Sequence, residues 1–270
     1  MLKLTDIRKT FFPDTANAVR ALNGVSLHIE NGSFTAIIGT NGSGKSTLLN
    51  AVAGTFLPDQ GQILLDNQDM TSWPEYRRAR RIGRVFQNPF AGTAAGMTIA
   101  ENIVLSMHRG KRHGLGKAVT RQVKNEIADR VQTLKMGLED RLDNSIGTLS
   151  GGQRQAITLL MATWNRPDLL LLDEHTAALD PKSAAKVVEL TREIVGRDNL
   201  TTLMVTHAMQ QAVDLPDRIV MMHGGVIVED YRDEQKTRVR IPDLMAGFDR
   251  VARRQFFDES VAALLEKQYG

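Results

Sequence analysis

The chain carries Gly39-Thr40-Asn41-Gly42-Ser43-Gly44-Lys45-Ser46 directly after the apolar run Phe34-Thr35-Ala36-Ile37-Ile38, and residues 46–53 continue as a helix. A strand that ends in a glycine-rich loop and re-emerges as a helix curls its backbone so that successive N–H groups point inward. The helix N-terminus adds roughly half a positive charge there. That arrangement cradles phosphate. Lys45 has the reach for the β- and γ-phosphates of a nucleoside triphosphate, the Ser46 hydroxyl suits an accompanying Mg²⁺, and Thr47 is a further oxygen donor.

The remaining apolar runs fit a fold built around such a unit. Residues 2–8 and 25–29 alternate apolar and polar positions, as half-buried strands do. Residues 63–66 resemble an edge strand entered through the turn Pro58-Asp59-Gln60-Gly61, and residues 82–86, 169–172, 202–206 and 218–222 read as buried strands. Short apolar strands separated by helical stretches predict an α/β fold with a largely parallel sheet covered on both faces. Residues 92–165 change character: Ile127, Val131 and Leu134 follow helical spacing, and Gly110, Gly114 and Gly116 interrupt the segment before them. We expect a helical lobe inserted there. Residues 230–270 should hold a strand or loop and then an amphipathic tail helix through Phe257, Val261, Leu264 and Leu265, packed on its own domain.

Composition narrows the class. With 42% hydrophobic and 24% charged residues in 270, the chain is expected to be globular and to bury roughly 70–75% of its unfolded surface. No apolar run approaches the ~20 residues of a membrane-spanning helix. The N-terminus lacks the apolar region and cleavage site of a signal peptide, so a cytoplasmic location is expected. Cysteine is absent, which removes disulfides and thiolate metal sites. The cluster Arg77-Arg78-Ala79-Arg80-Arg81 reads as a solvated helix face rather than a nucleic-acid contact, because no aromatic residues are interleaved for base stacking. Trp73 and Trp164 read as packing residues.

Two further motifs bear on chemistry. Leu169-Leu170-Leu171-Leu172-Asp173 brings a carboxylate to the mouth of a buried strand, where an unpaired charge is costly and a bound Mg²⁺ would supply the opposing one. Glu174, next along, points elsewhere and suits polarising an attacking water. Ahead of both lies Leu149-Ser150-Gly151-Gly152-Gln153.

With the glycine loop, these elements make the chain resemble, over nearly its whole length, the nucleotide-binding subunit of an ABC transporter. The resemblance implies a P-loop NTPase (RecA-like) core with an antiparallel β subdomain, over residues 1–91 and 166–229. It also implies a helical subdomain at 92–165 and a tail at 230–270. ATP and Mg²⁺ are the implied cofactors. By this resemblance Gln87, in Val85-Phe86-Gln87-Asn88-Pro89, links Mg²⁺ to the helical lobe and a membrane subunit. Ser150, Gly151, Gly152 and Gln153 form the signature that caps the γ-phosphate held by another copy. Asp180, in Ala178-Leu179-Asp180, crosses the dimer interface, and His207 contacts the γ-phosphate. Either Phe11 or Phe12 stands where an aromatic stacks on adenine.

Two departures are visible. The family commonly has proline after the catalytic glutamate, and here it is His175, which we expect to loosen the turn. Leu159-Leu160-Met161 replaces a frequent Ala-Arg-Ala stretch, and the helix resembles importers of amino-acid-like or small organic solutes. The implied partners are a second copy joined head to tail around ATP, integral membrane subunits near the Gln87 groove, and indirectly a solute-binding protein. No nucleic acid is expected. The location is peripheral on the inner face of the membrane. An exporter subunit, or a soluble ABC ATPase of iron–sulfur assembly, would carry the same motifs.

Overall fold

The computed structural model describes residues 1–110 and 119–250 of the chain. β1 (Leu2–Phe11) and β2 (Val19–Ile29) pair antiparallel, after which β3 (Phe34–Gly39) enters a different sheet. α1 (Lys45–Ala53) follows the glycine loop. β4 (Gln60–Leu65) returns antiparallel to β1 and carries the short β5 (Gln68–Asp69) at its edge, so the small sheet has the order β2-β1-β4-β5.

A short α2 (Glu75–Arg78) leads into β6 (Ile82–Val85), and α3 (Ile99–Met107), α4 (Arg121–Gln132) and α5 (Gly151–Thr163) come next. The chain then alternates through β7 (Leu169–Asp173), α6 (Pro181–Asp198), β8 (Thr202–Val205), α7 (Met209–Asp214) and β9 (Arg218–His223). It closes with β10 (Val226–Tyr231) and α8 (Asp233–Arg238), beyond which residues 241–250 are helical. The main sheet has the order β10-β9-β3-β8-β7-β6, parallel except for β10. The tail helix expected through Phe257, Val261, Leu264 and Leu265 lies outside the described residues, as do Gly114 and Gly116.

The leucine run of β7 shows how the sheet is covered. Leu169 and Leu171 enter one core with Leu48, Leu49 and Val52 of α1 and the inner face of the small sheet. Leu170 and Leu172 enter a second core with α5 and α6. Side chains alternate across a strand, so a strand apolar at every position needs a layer on each face. Ile127, Val131 and Leu134 are buried in the second core, on the helical spacing expected of them. Helix starts are locally encoded: Thr98 and Glu101 form a capping box at α3, and Asp180 caps α6 with Pro181 in its first turn.

The arginine cluster departs from the sequence expectation. Arg78 is fully buried, not solvated. Its guanidinium donates to the carbonyls of Ala51 and Val52 at 2.6 and 3.0 Å, and to those of Thr71 and Trp73 at 2.9 Å each. Ala51 and Val52 lie in the last turn of α1, where carbonyls lack helical partners and a cation is favoured. Burial drives its pKa down to about 10, leaving it charged at neutral pH. Arg81 pairs with Asp66 and Asp168, while Arg77 lies over the Trp73 ring at 3.8 Å. Trp164 is buried beneath Arg130, as a packing residue should be.

Candidate functional site

The strand order brings the separated motifs together. The glycine loop leaves the carboxyl end of β3, His207 follows β8, Asp173 ends β7 with Glu174 next, and Gln87 follows β6. Those four strands are neighbours in the order β3-β8-β7-β6 and all point the same way. Their tips therefore form one rim, where ligands of open parallel sheets bind.

Within the glycine loop, Gly44 adopts φ +97°, and a Cβ there would sit 2.5 Å from the Ala21 carbonyl oxygen. Only glycine meets both demands. Lys45 is nearly buried, and its Nζ donates to the carbonyls of Gly39 and Thr40 at 2.9 Å each. Burial pushes its ammonium below the ordinary lysine value, with the Glu174 carboxylate pulling the other way. Such a lysine gains more from an incoming phosphate than a solvated one. The Ser43 hydroxyl is buried without a hydrogen-bond partner, while Thr40, Asn41, Gly42 and Ser46 are exposed and Thr47 half-exposed.

Glu174 and His207, assigned separately from sequence, meet here: Oε2 and Nδ1 lie 3.1 Å apart, the carboxylate largely covered and the imidazole open. Glu174 takes φ +43°, and its N–H donates to the Val205 carbonyl at 2.9 Å. A left-handed glutamate is uncommon. It turns the side chain out of the alternation of β7, so Asp173 and Glu174 present separate carboxylates.

Asp173 is mostly covered and accepts from Arg84 at 3.2 Å. Burial raises its carboxyl above the usual range, and Arg84 opposes that. Among the described residues no group of three His, Cys, Asp or Glu is placed to hold a metal. The donors on this rim are instead the Ser46 hydroxyl, the Gln87 amide oxygen and the Asp173 carboxylate. That hard-oxygen set fits Mg²⁺, which takes few protein ligands and completes its shell with water and phosphate.

The signature begins α5. Ser150 Oγ accepts from the Gln153 N–H at 3.3 Å, and the Gln153 side chain returns to the Ser150 N–H at 3.2 Å. Here Gln153 holds the helix start. Gly152 is required by packing, since a Cβ would lie 2.6 Å from the Cβ of Ser183 at the start of α6. Ser150 and Gly151 remain exposed. Asp180 is also exposed and accepts from the Ser183 N–H at 3.0 Å; hydrogen bonding from the Ser183 side chain, and then from its backbone, keeps the carboxyl below the usual range.

Phe11 meets Phe56 edge-on at 5.3 Å between centroids, while Phe12 is 68% exposed with φ +51°. His175 pins its turn rather than loosening it. The ring is buried with Nε2 3.0 Å from Thr191 Oγ1, and that hydroxyl already donates to the Val187 carbonyl. The imidazole must therefore be the donor through Nε2–H, and burial lowers its pKa to about 4, so it is neutral near pH 7.

Sequence reasoning missed two residues. Gln155 is fully buried on α5, and its Nε2 donates to the carbonyls of Phe86 at 3.0 Å and His175 at 2.8 Å, next to Gln87 and Glu174 respectively. Arg84 is a charged residue inside an otherwise apolar buried strand, and that oddity was the available signal. Gln155 gave none, because a glutamine two positions past Gln153 looks like part of the same polar helix start.

The family model described as ABC transporter matches residues 22–177. A tyrosine transport ATP-binding protein of Clostridioides difficile is 40% identical over 249 residues, 92% of this chain and 99% of that protein. A methionine import ATP-binding protein MetN of Photorhabdus laumondii is 34% identical over 232 residues, covering 85% of this chain and 64% of the relative. Among solved structures, a dimeric ATP-binding cassette in a post-hydrolysis state, bound to ADP and Pi, superposes with TM-score 0.73 at 28% identity, over 86% of this chain and 98% of that one. A nucleotide-free cassette from an ABC transporter gives 0.72 at 27% identity, over 87% and 92%. The family match takes in the glycine loop, Gln87 and the β7 tip through Glu174, and the chain belongs to the ABC transporter family as one of its ATP-binding, ATP-hydrolysing subunits.

Proposed function

We propose that this chain powers the import of an amino-acid-like or other small organic solute, working as a head-to-tail pair around two ATP molecules at the inner face of a membrane. One observation carries the mechanism: Glu174 and His207 meet at 3.1 Å on the rim that the glycine loop shares. Glu174 polarises the attacking water, and His207 positions that carboxylate and reads the γ-phosphate. Lys45 exchanges its two loop carbonyls for phosphate oxygens. Ser46, Gln87 and Asp173 would hold Mg²⁺, which neutralises charge on the phosphates when bound.

The exposed Ser150 and Gly151 at the start of α5, with the buried Gly152 beside them and Gln153 bracing them, would cap the γ-phosphate held by the other copy, and Asp180 would cross between copies. Phe11 would stack on adenine. The relatives' names support the importer reading. Among the described residues no helix is long and apolar enough to cross a membrane; integral membrane partners would form the solute path. Gln87, exposed between the core and the helical segment, is where they would dock, with a solute-binding protein on the far side.

The test is a pull-down of tagged Glu174→Gln protein from detergent-solubilised membranes in Mg-ATP, read by mass spectrometry. A co-purifying polytopic membrane protein with an associated solute-binding protein supports import. A polytopic protein without one supports export. Recovery of soluble partners alone, with nothing in the membrane fraction, moves the assignment to a soluble assembly ATPase.

A further inference from the structure

We infer that Arg84 is a positioning residue that braces the Mg²⁺-binding oxygens, an inference that rests on reading Ser46, Gln87 and Asp173 as those oxygens. Arg84 sits in β6 with its side chain only 13% exposed. One terminal nitrogen, Nη2, donates to Asn50 Oδ1 at 2.6 Å and to Asp173 Oδ2 at 3.2 Å, while Nη1 donates to Thr55 Oγ1 at 3.1 Å. The guanidinium carbon lies 4.5 Å from the centroid of the Phe86 ring.

Three of the four contacts each lead to one of the three oxygens. Asp173 is held directly, through Oδ2. Asn50 stands one helical turn beyond Ser46 on the same face of α1, so fixing Asn50 against β6 fixes how Ser46 faces the rim. Phe86 precedes Gln87, and the stacked guanidinium holds the strand end from which Gln87 departs. These ligands come from α1, β6 and β7, which share no local sequence, and one rigid planar fork ties all three together. A lysine would carry the same charge without spanning Asn50, Thr55 and Asp173 at once. Arg84 would act through the groups it holds.

Partners that orient metal ligands typically matter by about 10–100-fold in metal affinity. ADP affinity should therefore be measured by calorimetry in excess Mg²⁺ and again in EDTA, on the full chain and on Arg84→Gln. Bound Mn²⁺ in the ADP complex should be followed in parallel by electron paramagnetic resonance. We expect Arg84→Gln to lose at least about 10-fold of the Mg²⁺-dependent gain and to weaken the Mn²⁺ signal, with affinity in EDTA unchanged. Arg84→Lys should not restore it. An unchanged Mg²⁺-dependent gain, an equal loss in both conditions, or full rescue by lysine would overturn the role.

Should Arg84→Gln fail to fold, Asn50→Ala removes one arm of the brace and decides the matter by the same comparison. Asp173→Asn separates the two readings. If wild-type affinity is indifferent to Mg²⁺, or Asp173→Asn leaves the gain intact, the metal-site assignment fails and the brace falls with it. If only the Arg84 and Asn50 variants behave like wild type, the brace alone is wrong.

Discussion

Gln155→Met removes one amide that ties the signature helix to two points of the rim, and its cost can be worked from contacts. Methionine nearly conserves the volume and rotamer freedom of glutamine, so packing changes little. What is lost are the bonds to the Phe86 and His175 carbonyls at 3.0 and 2.8 Å. The bond to His175 is buried, and stripping that carbonyl of its donor costs about 1–3 kcal/mol. The bond to Phe86 is partly buried, and water can replace it at about 1 kcal/mol. Against this, Gln155 Oε1 is itself buried without a partner, and deleting it returns up to about 1 kcal/mol. The net expectation is a loss of roughly 1–4 kcal/mol.

Urea denaturation without nucleotide, compared at equal m-value, measures it free of ligand linkage. Turnover should fall as well, because the residues adjoining Gln87 and Glu174 lose their common tie, while ATP affinity at the glycine loop is kept. A midpoint shift worth less than about 0.5 kcal/mol with unchanged turnover would refute the clamp.

Three further outcomes follow from the same geometry. Glu174→Gln should bind ATP, hydrolyse it at least ~10²-fold more slowly and accumulate as a dimer by size exclusion, and wild-type turnover would remove Glu174 from the role of base. Arg78→Met should destabilise the fold by about 3 kcal/mol in thermal or urea unfolding, since four carbonyls lose a charged donor, two of them in the last turn of α1. Burial alone would raise the Asp230 carboxyl, but the forks of Arg218 and Arg232 outweigh it and bring the pKa down to about 2. A depressed carboxylate stabilises the fold fully above its unfolded value of about 3.9, and the contribution is lost as pH falls toward about 2. Discounted for its exposure, that is about 1 kcal/mol, and Asp230→Asn should flatten the acid limb of the stability–pH curve by that amount.

Much of the candidate rim was legible without coordinates because its parts are local. A glycine loop between strand and helix, a carboxylate at the end of four leucines and a Ser-Gly-Gly-Gln helix start each carry their geometry within a few residues. Their order along the chain adds the family resemblance. The alternating faces of β7 likewise follow from periodicity, which is why the two-sided cover of the sheet could be expected from the leucines alone.

What the tertiary structure decided concerns polar groups whose partners are distant in sequence. Arg78 reads as solvent-facing in its own helix, and only packing against the end of α1 shows that carbonyls from other segments solvate it. His175 stands where proline is usual, and its partner Thr191 lies on α6. Arg84 and Gln155 bind groups from different elements; the apolar strand around Arg84 marks it as unusual without naming its partners, and nothing in the neighbours of Gln155 marks it. Backbone pattern and loop chemistry are short-range and survive in the sequence, whereas the satisfaction of a buried donor or charge depends on which segments the fold brings into hydrogen-bond range. The sequence therefore determined the chemistry at the strand tips, and the tertiary structure alone decided which buried polar side chains hold those tips in register.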